Sequence, residues 1–187
     1  MDKHRCGWCL GDPLYQEYHD TEWGVPVKDD LTFFEFLVLE TFQAGLSWIT
    51  VLRKRKHFRK VFDQFDYQKI ANYDSTKIQA LLADPGIIRN KLKVNAAVSN
   101  AKVFMEVQKE FGSFSTYIWG FVDGKPIKNQ WQHHKEAPAT TPLSDTISKD
   151  LKKKGFKFVG STVVYAFMQA TGIVNDHEVN CFRYAEV

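Results

Sequence analysis

Residues 152–172 read KKKGFKFVGSTVVYAFMQATG, a pattern typical of two helices joined by a short hairpin. After a basic helix end and a glycine, an aromatic turn reaches Gly160, and Ser161 and Thr162 begin the next helix. Backbone N–H groups at such a helix start bind phosphate, and Lys157 with its neighbours adds positive charge. The alternative interpretation is a plain glycine turn beside a solvated lysine cluster.

The same region contains an uncharged run, residues 158–175, which is long enough to be tested as a membrane span. Two glycines and several polar side chains interrupt it, and its apolar core is only VVYAFM. We therefore expect a buried helix after a turn, and no membrane partner.

Helical periodicity continues from this motif over most of the chain. Asp12 and Pro13 can begin a helix that continues through His19. Residues 31–43 (LTFFEFLVLETFQ) are almost wholly apolar and predict a buried helix. Ser47 is a cap candidate for the helix SWITVLRKRKHFRKVF, which is basic on one side.

Further along the chain, Asp66 and Ser75 are cap candidates for short helices. A long helix is expected from about residue 88 to residue 111, because apolar side chains recur there at helical spacing. Helices are also predicted over residues 144–154 and 161–171.

Residues 122–143 combine glycine, prolines and mixed polar side chains, so we interpret them as a surface loop. His133 and His134 lie in this loop and are expected to be solvated. The sequence shows no strand alternation and no repeat of fixed period. The predicted fold class is all-α.

The composition limits the possible classes. The chain has 187 residues, 44% of them hydrophobic and 25% charged, which fits one domain or two closely joined lobes and excludes global disorder, collagen and coiled coil. A net charge of +3 neither requires nor excludes nucleic acid. Three cysteines are too few for a disulfide scaffold and the N-terminus lacks an apolar signal core, so a cytoplasmic location is expected.

Cysteine and histidine occur near both ends of the chain at spacings suited to a metal. Cys6 is followed by His19, and His177 by Cys181, whose i,i+4 spacing would place both side chains on one face of a helical turn. Two thiolates and two imidazoles complete a closed, structural zinc site. Two alternatives remain: Cys6 and Cys9 form a CxxC pair for metal or redox chemistry, or these are ordinary buried cysteines and surface histidines.

Glu40 lies inside the apolar run LVLETF, where an unpaired carboxylate is costly to bury. Five aromatic residues lie in or beside polar segments of the chain: Trp8, Tyr15, Tyr18, Trp23 and Trp48. A flat cationic ligand stacked on Trp48 or Tyr18 would supply both a charge for Glu40 and a cation–π contact. The alternative is an ion pair between Glu40 and a nearby arginine.

At these residues the chain resembles the constitutive bacterial family of 3-methyladenine DNA glycosylase I, in the helix–hairpin–helix glycosylase superfamily. The matching strings are RCGW, YHDTEWGVP, LETFQAGLSWITVLRKR, GIIRNKLK, KGFKFVGSTVVYAFMQATG and IVNDH. They extend from Cys6 to Cys181, and only residues 122–142 carry little of the match.

The resemblance implies roles for particular residues. A structural Zn²⁺ would be held by Cys6, His19, His177 and Cys181, which leaves Cys9 out. Base recognition and catalysis would fall to Glu40, with Tyr18, Trp48, Trp8, Tyr15 and Trp23 around the base. DNA contacts would come from Gly45, Leu46, Lys157, Gly160, Ser161 and Thr162.

The resemblance also implies a fold and an activity. We expect one catalytic unit over residues 1–187, with two helical lobes whose N- and C-terminal segments are linked by zinc. It would act as a monomer on double-stranded alkylated DNA, flip out 3-methyladenine and hydrolyse its N-glycosidic bond, leaving an abasic site and free 3-methyladenine. No lysine matches a Schiff-base nucleophile, so no lyase step is expected.

Some expectations stay open. Asp176 precedes His177 directly, so it is interpreted as a residue that supports the metal ligands or as a helix cap. Two other function classes compete with the glycosylase: a zinc-linked DNA-binding module that senses alkylated bases without cleaving them, and a thiol redox protein that uses Cys6 and Cys9.

Overall fold

The computed structural model describes residues 3–187 and confirms the all-α prediction for them. Met1 and Asp2, which belong to the N-terminus judged to lack a signal core, lie outside the described residues. The helices are α1 (Pro13–Thr21), α2 (Asp30–Gln43), α3 (Trp48–Val61), α4 (Tyr67–Ile70), α5 (Ser75–Ala83), α6 (Lys91–Phe111), α7 (Phe114–Trp119), α8 (Pro142–Lys154) and α9 (Ser161–Ala170). None of these helices is long and apolar enough to cross a membrane.

The helix starts follow side-chain capping. The Asp12 carboxylate accepts hydrogen bonds from the first backbone N–H groups of α1, where Pro13 occupies the first helical position. Helix α6 begins at Lys91, three residues later than expected, because Asn90 caps it. The prediction of Ser75 as a cap was wrong, since Asp74 caps α5.

Helix α2 forms the centre of the core and packs against α3, α6, α7 and α9. Its residues are buried almost continuously, and Phe33, Phe34 and Phe42 are fully enclosed. Burial of one such side chain contributes roughly 1.5–3 kcal/mol, so this helix supplies a large share of the hydrophobic stabilisation.

Residues 122–143 are more ordered than the predicted surface loop. Two-residue strand β1 (Ile127–Lys128) pairs in parallel with β2 (Val174–Asn175). Strands of two residues are too short to show alternation in the sequence, and they leave the all-α class unchanged. The pairing fixes the segment that follows residue 128 beside the segment that follows residue 175.

A tight turn, residues 155–160, joins α8 to α9. Gly155 has φ +106°, and the N–H of Phe156 donates to the Leu151 carbonyl (3.0 Å), which ends α8 in a left-handed cap. The Asn100 side chain exchanges two hydrogen bonds with the backbone of Lys157 and holds the turn against α6.

Gly172, just after α9, has φ +69°, and a Cβ there would collide with the backbone of Val25 and Pro26. Only glycine fits this contact. It brings the segment after α9 against the segment after α1, where the site lies.

Candidate active site

A cavity of about 300 Å³ opens between α1, the C-terminal end of α2, the start of α3 and helix α9. Its lining residues are Trp8, Tyr15, Tyr18, Trp23, Glu40, Gln43, Trp48, His134, Ala137, Ala166, Gln169 and Asp176. The structure therefore brings together Glu40 and all five aromatic residues that the sequence analysis grouped around it.

Glu40 is the chemically unusual member of this cavity. It is 3% exposed, and within residues 3–187 no group donates a hydrogen bond to it or pairs with it as a cation. Burial alone raises the pKa of its carboxyl group to about 8. The arginine alternative is wrong in this structure, because Arg55 pairs with Glu22 (2.7 Å) and Glu35 (2.6 Å) instead.

The aromatic side chains form a continuous group beside Glu40. The Trp8 ring lies 5.1 Å from Tyr15 and 4.9 Å from Trp23, both edge to face, and Tyr18 lies 5.5 Å from Trp48 between ring centroids. Burial holds the pKa of Tyr18 well above its ordinary value, so its hydroxyl stays neutral. Over the described chain, the buried indole N–H groups of Trp8 and Trp48 have no hydrogen-bond acceptor.

Asp176 is the second carboxylate of the cavity, and its surroundings are the opposite of those of Glu40. Oδ1 accepts hydrogen bonds from Asn129 (2.6 Å) and the Trp131 indole (2.9 Å). Oδ2 accepts from the Tyr165 hydroxyl (2.6 Å) and from Gln169 (2.8 Å). Neither interpretation of this residue describes it: Asp176 caps no helix, and its side-chain partners include none of the expected metal ligands.

A buried cluster of Cys6, His19, His177 and Cys181 lies beside the cavity, with ligand atoms within 4.8 Å of one another. The Cys181 sulfur is 3.4 Å from His19 Nε2 and 3.6 Å from His177 Nδ1, and the Cys6 sulfur is 3.5 Å from His177 Nδ1. A tetrahedral zinc site places sulfur and nitrogen ligands about 3.5 Å apart, so the donor set and its spacing fit that metal.

The other ring nitrogens of this cluster are fixed from outside it. His19 Nδ1 lies 2.8 Å from an Asp20 oxygen, and His177 Nε2 lies 3.0 Å from the Trp23 carbonyl oxygen. Each ring therefore turns its remaining nitrogen toward the sulfurs, as metal-binding histidines do. A hydrogen bond between the two cysteines raises the pKa of Cys6 and lowers the pKa of Cys181.

One expectation about this cluster needs correction. His177 and Cys181 do not share a helical face; they flank a tight turn in which the N–H of Cys181 donates to the Glu178 carbonyl (2.8 Å). Cys9 is buried but outside the cluster, as the resemblance implies, and its thiol donates to the Cys6 carbonyl (3.2 Å).

Comparison with known proteins identifies the group to which these features belong. A family model described as methyladenine glycosylase matches residues 8–184. The chain belongs to the methyladenine glycosylase family.

Relatives within the family are similar over almost the whole chain. DNA-3-methyladenine glycosylase 1 of Escherichia coli K12 is 48% identical over 96% of both chains. A crystal structure of 3-methyladenine DNA glycosylase I has a TM-score of 0.93 at 49% identity, covering 96% of this chain and 98% of the other. A tyrosine-to-phenylalanine variant of the same enzyme type, in complex with 3-methyladenine, has a TM-score of 0.92 at 34% identity, covering 95% and 96%.

The residues expected to contact DNA in this family member lie in two separate turns. Gly45 (φ +82°) and the 40% exposed Leu46 form the turn between α2 and α3. Gln43 donates to the Leu46 carbonyl (2.9 Å), and the buried Lys93 ammonium donates to the Ala44 carbonyl (2.6 Å). Hydrogen bonds from Gln43 and Lys93 therefore fix the backbone of the turn, while the Leu46 side chain stays exposed.

The other turn contains the start of α9. Gly160 precedes this helix, and no side chain in the described structure caps it. Its first N–H groups are therefore available to an anion, with Lys157 and Thr162 exposed nearby. The Ser161 hydroxyl contacts the Ser144 hydroxyl (2.7 Å) across the turn.

The sequence analysis missed the cavity residues Gln43, His134, Ala137, Ala166 and Gln169. The prediction that His134 is solvated was wrong: it is half-buried, and its Nδ1 lies 3.0 Å from a Glu178 oxygen. No sequence signal marks this contact, because both residues come from irregular segments that lie close together only in the fold.

Proposed function

We propose that this chain is a base excision glycosylase that removes 3-methyladenine from alkylated DNA. The observation that carries the proposal is the buried Glu40 carboxylate, which lies in an aromatic cavity and has no partner among residues 3–187. The relative named DNA-3-methyladenine glycosylase 1 and the similar structure in complex with 3-methyladenine support this choice of substrate.

Recognition would depend on the positive charge of the damaged base. Methylation at N3 makes the adenine of a nucleotide cationic, and a cation beside Glu40 restores the carboxylate that burial disfavours. The rings of Tyr18 and Trp48 add a cation–π contribution. Undamaged adenine is neutral, so it gains neither the charge interaction with Glu40 nor the cation–π contact.

The same charge makes the base a good leaving group, so cleavage needs little general-acid assistance. In our proposal Glu40 accepts hydrogen bonds from the edge of the base and stabilises its charge, and water completes hydrolysis to an abasic site. No lysine lines the described cavity, which supports a monofunctional reaction without a lyase step.

Access to a stacked base requires that the nucleotide be flipped out of the duplex. We propose that Gly45 and Leu46 probe the gap left in the stack, and that Lys157, Gly160, Ser161 and Thr162 bind the DNA backbone. In this proposal the turn 155–160 is the hairpin of a helix–hairpin–helix motif, and DNA lies across a cleft between two helical lobes of one monomeric catalytic unit.

The metal in this proposal is a structural zinc. Cys6, His19, His177 and Cys181 would hold it, and its four protein ligands leave no open position for water. It would fix the segment that carries Trp8 to the segment that carries Asp176, and so contribute to the shape of the cavity.

Release of free 3-methyladenine from methylated double-stranded DNA tests the proposal. We expect release by the wild-type protein, with an abasic but unbroken strand as the other product. Binding of methylated DNA without release of base would instead favour a module that only senses alkylation. Strand cleavage by the protein itself would contradict the monofunctional reaction.

A further inference from the structure

Helix α6 contacts both of the turns that we propose to bind DNA. These are the α2–α3 turn (residues 44–47) and the α8–α9 turn (residues 155–160). Two polar side chains of α6 make the contacts, and both are almost completely buried: Lys93 and Asn100. A buried polar group requires hydrogen-bond partners, and each of these two residues finds them in the backbone of a different turn.

Lys93 holds the α2–α3 turn. Its Nζ donates to the Phe42 carbonyl (2.9 Å) and to the Ala44 carbonyl (2.6 Å). Both carbonyls lie at the C-terminal end of α2, where backbone acceptors lack a partner within the helix and a cation is favourable. Over residues 3–187, no carboxylate forms an ion pair with Lys93, so its hydrogen bonds go to this turn and to the end of α2.

Asn100 holds the α8–α9 turn. Its Oδ1 accepts from the Lys157 N–H (2.8 Å), and its Nδ2 donates to the Lys157 carbonyl (3.0 Å), so one amide binds both backbone groups of one residue. A Cβ at Gly155 would lie 3.4 Å from a Val103 methyl group, so the start of the turn also lies close to α6. The turn leads directly into the uncapped start of α9.

The two anchoring residues lie on one stiff element. Lys93 and Asn100 are seven residues apart within α6, which is an uninterrupted α-helix from Lys91 to Phe111. Seven residues are close to two helical turns, so the two side chains lie on the same face, about 10 Å apart along the helix axis. One helix therefore fixes the separation of two turns that come from distant parts of the chain.

We propose that α6 is a rigid spacer that sets the separation of the two DNA-contacting turns, with Lys93 and Asn100 as its positioning residues. The inference rests on the proposed function, because the DNA contacts of both turns belong to that proposal. Once one turn binds the duplex, the spacer holds the other turn where it meets the same duplex. The second contact then forms at a high effective concentration, and neither turn has to be ordered separately on binding.

The first experiment compares Lys93→Met and Asn100→Ala with two matched controls, Lys102→Met and Asn95→Ala. The control residues are exposed and lie on the opposite face of the same helix. We measure kcat and KM for release of 3-methyladenine from alkylated duplex DNA. Affinity for free 3-methyladenine is measured in parallel by quenching of tryptophan fluorescence.

Each anchor variant is expected to raise KM for the duplex about tenfold, the effect of losing one well-placed polar contact. We expect kcat to stay within about twofold of wild type and the affinity for the free base to stay unchanged, because the cavity itself is intact. Both controls should match wild type in all three quantities.

Three results would overturn the spacer: an unchanged KM in the anchor variants, an equal loss of affinity for the free base, or an equal rise of KM in the controls. The second result would place the effect in the cavity, and the third would assign it to charge or to α6 as a whole. If the wild-type protein releases no base, the proposed function fails instead. Release by wild type with unchanged variants is a failure of the spacer alone.

The second experiment tests whether the two anchors act through one shared property. Lys93 and Asn100 have no common partner in the described structure, so independent effects would multiply in the double variant. If both anchors maintain the same effective concentration, either substitution already removes most of it. We therefore expect KM of the double variant to lie only a fewfold above that of either single variant. A rise equal to the product of the two single effects would overturn the spacer.

Amide hydrogen exchange locates the change in each variant. Lys93→Met should speed exchange over residues 44–47, and Asn100→Ala should speed it over residues 155–160, because each substitution releases one turn. Unchanged exchange in the turn that a substituted residue contacts would overturn its role as an anchor.

Discussion

The base cavity and the Cys/His cluster are adjacent, and both are lined by aromatic rings. They differ in their buried polar groups: those of the cluster are hydrogen-bonded, whereas several in the cavity have no partner in the described structure. Trp8 lies 5.4 Å from His19, and Trp23 lies 4.7 Å from His177, so the two regions share their walls. In the cluster, both imidazoles are bonded on both nitrogens, inward to sulfur and outward to Asp20 or a carbonyl.

In the cavity, Glu40 and the two indole N–H groups have no partner among the described residues. Buried polar groups are normally paired, and each unpaired one costs free energy. This difference agrees with the roles that we propose: the cluster, closed around itself, would act as a structural frame, and the unpaired groups of the cavity would bind a ligand. Substitutions should therefore lower stability in the cluster and lower activity in the cavity.

The largest expected effect is the loss of stability when the Cys/His cluster is disrupted. Cys6→Ala should abolish metal binding and lower the free energy of unfolding by at least about 4 kcal/mol, the stabilisation given by a ligand present at a thousand times its Kd. Urea denaturation and metal analysis by mass spectrometry check this. The matched control is Cys9→Ala, which removes a buried thiol from outside the cluster and should keep the metal. Loss of the metal in both variants would favour the CxxC alternative, and retention in both would contradict the assignment of Cys6 as a ligand.

The next effect concerns the cavity alone. Glu40→Gln keeps the shape of the side chain but removes the charge that opposes a cationic base. We expect kcat/KM for 3-methyladenine release to fall by about 10²- to 10³-fold, the usual result of removing one electrostatic contact to the reacting group. Circular dichroism and metal content should stay as in wild type. Wild-type excision by this variant would show that Glu40 is only a structural carboxylate.

The unpaired carboxylate should also be visible in the pH dependence of stability. The Glu40 carboxyl group has an ordinary pKa of 4.5 and a folded-state pKa of about 8, so between these values the folded protein holds a proton that the unfolded chain has lost. Its contribution to stability is therefore fully present below pH 4.5 and falls as pH rises toward 8. Glu40→Gln should remove this decline, a relative gain of at least about 1.4 kcal/mol at pH 8 compared with pH 5. Urea denaturation of both proteins at pH 5 and pH 8 measures the free energies of unfolding. The same change between the two pH values in wild type and variant would contradict the prediction.

The sequence singled out Glu40 and the Cys and His residues as candidates because their signals are local. Glu40 stands out as a charge within an apolar run, and the Cys and His residues stand out by type and spacing. Helix α1 was located correctly because Asp12 and Pro13 are adjacent start signals. Where two cap candidates are neighbours, as with Asp74 and Ser75, local preference does not separate them.

The wall of the cavity could not be predicted in the same way. His134 and Glu178 lie on the segments that follow the paired strands β1 and β2, and two-residue strands leave no periodic pattern. The i,i+4 spacing of His177 and Cys181 fits a helix and a tight turn equally well, and the turn occurs. These contacts depend on tertiary packing, which a reading of single segments does not contain.

The smallest expected effect lies outside both regions and tests whether they are the only determinants of base recognition. Lys157 is exposed on the turn 155–160, and its side chain has no partner in the described structure. If it neutralises one DNA phosphate, Lys157→Ala should weaken DNA binding a fewfold and reduce the slope of log affinity against log salt by about 0.9. Affinity for free 3-methyladenine should stay unchanged, because neither the cavity nor the cluster is touched. Lys135→Ala, which removes an exposed lysine outside this turn, is the control. An equal change in its salt slope would show that the effect is one of total charge.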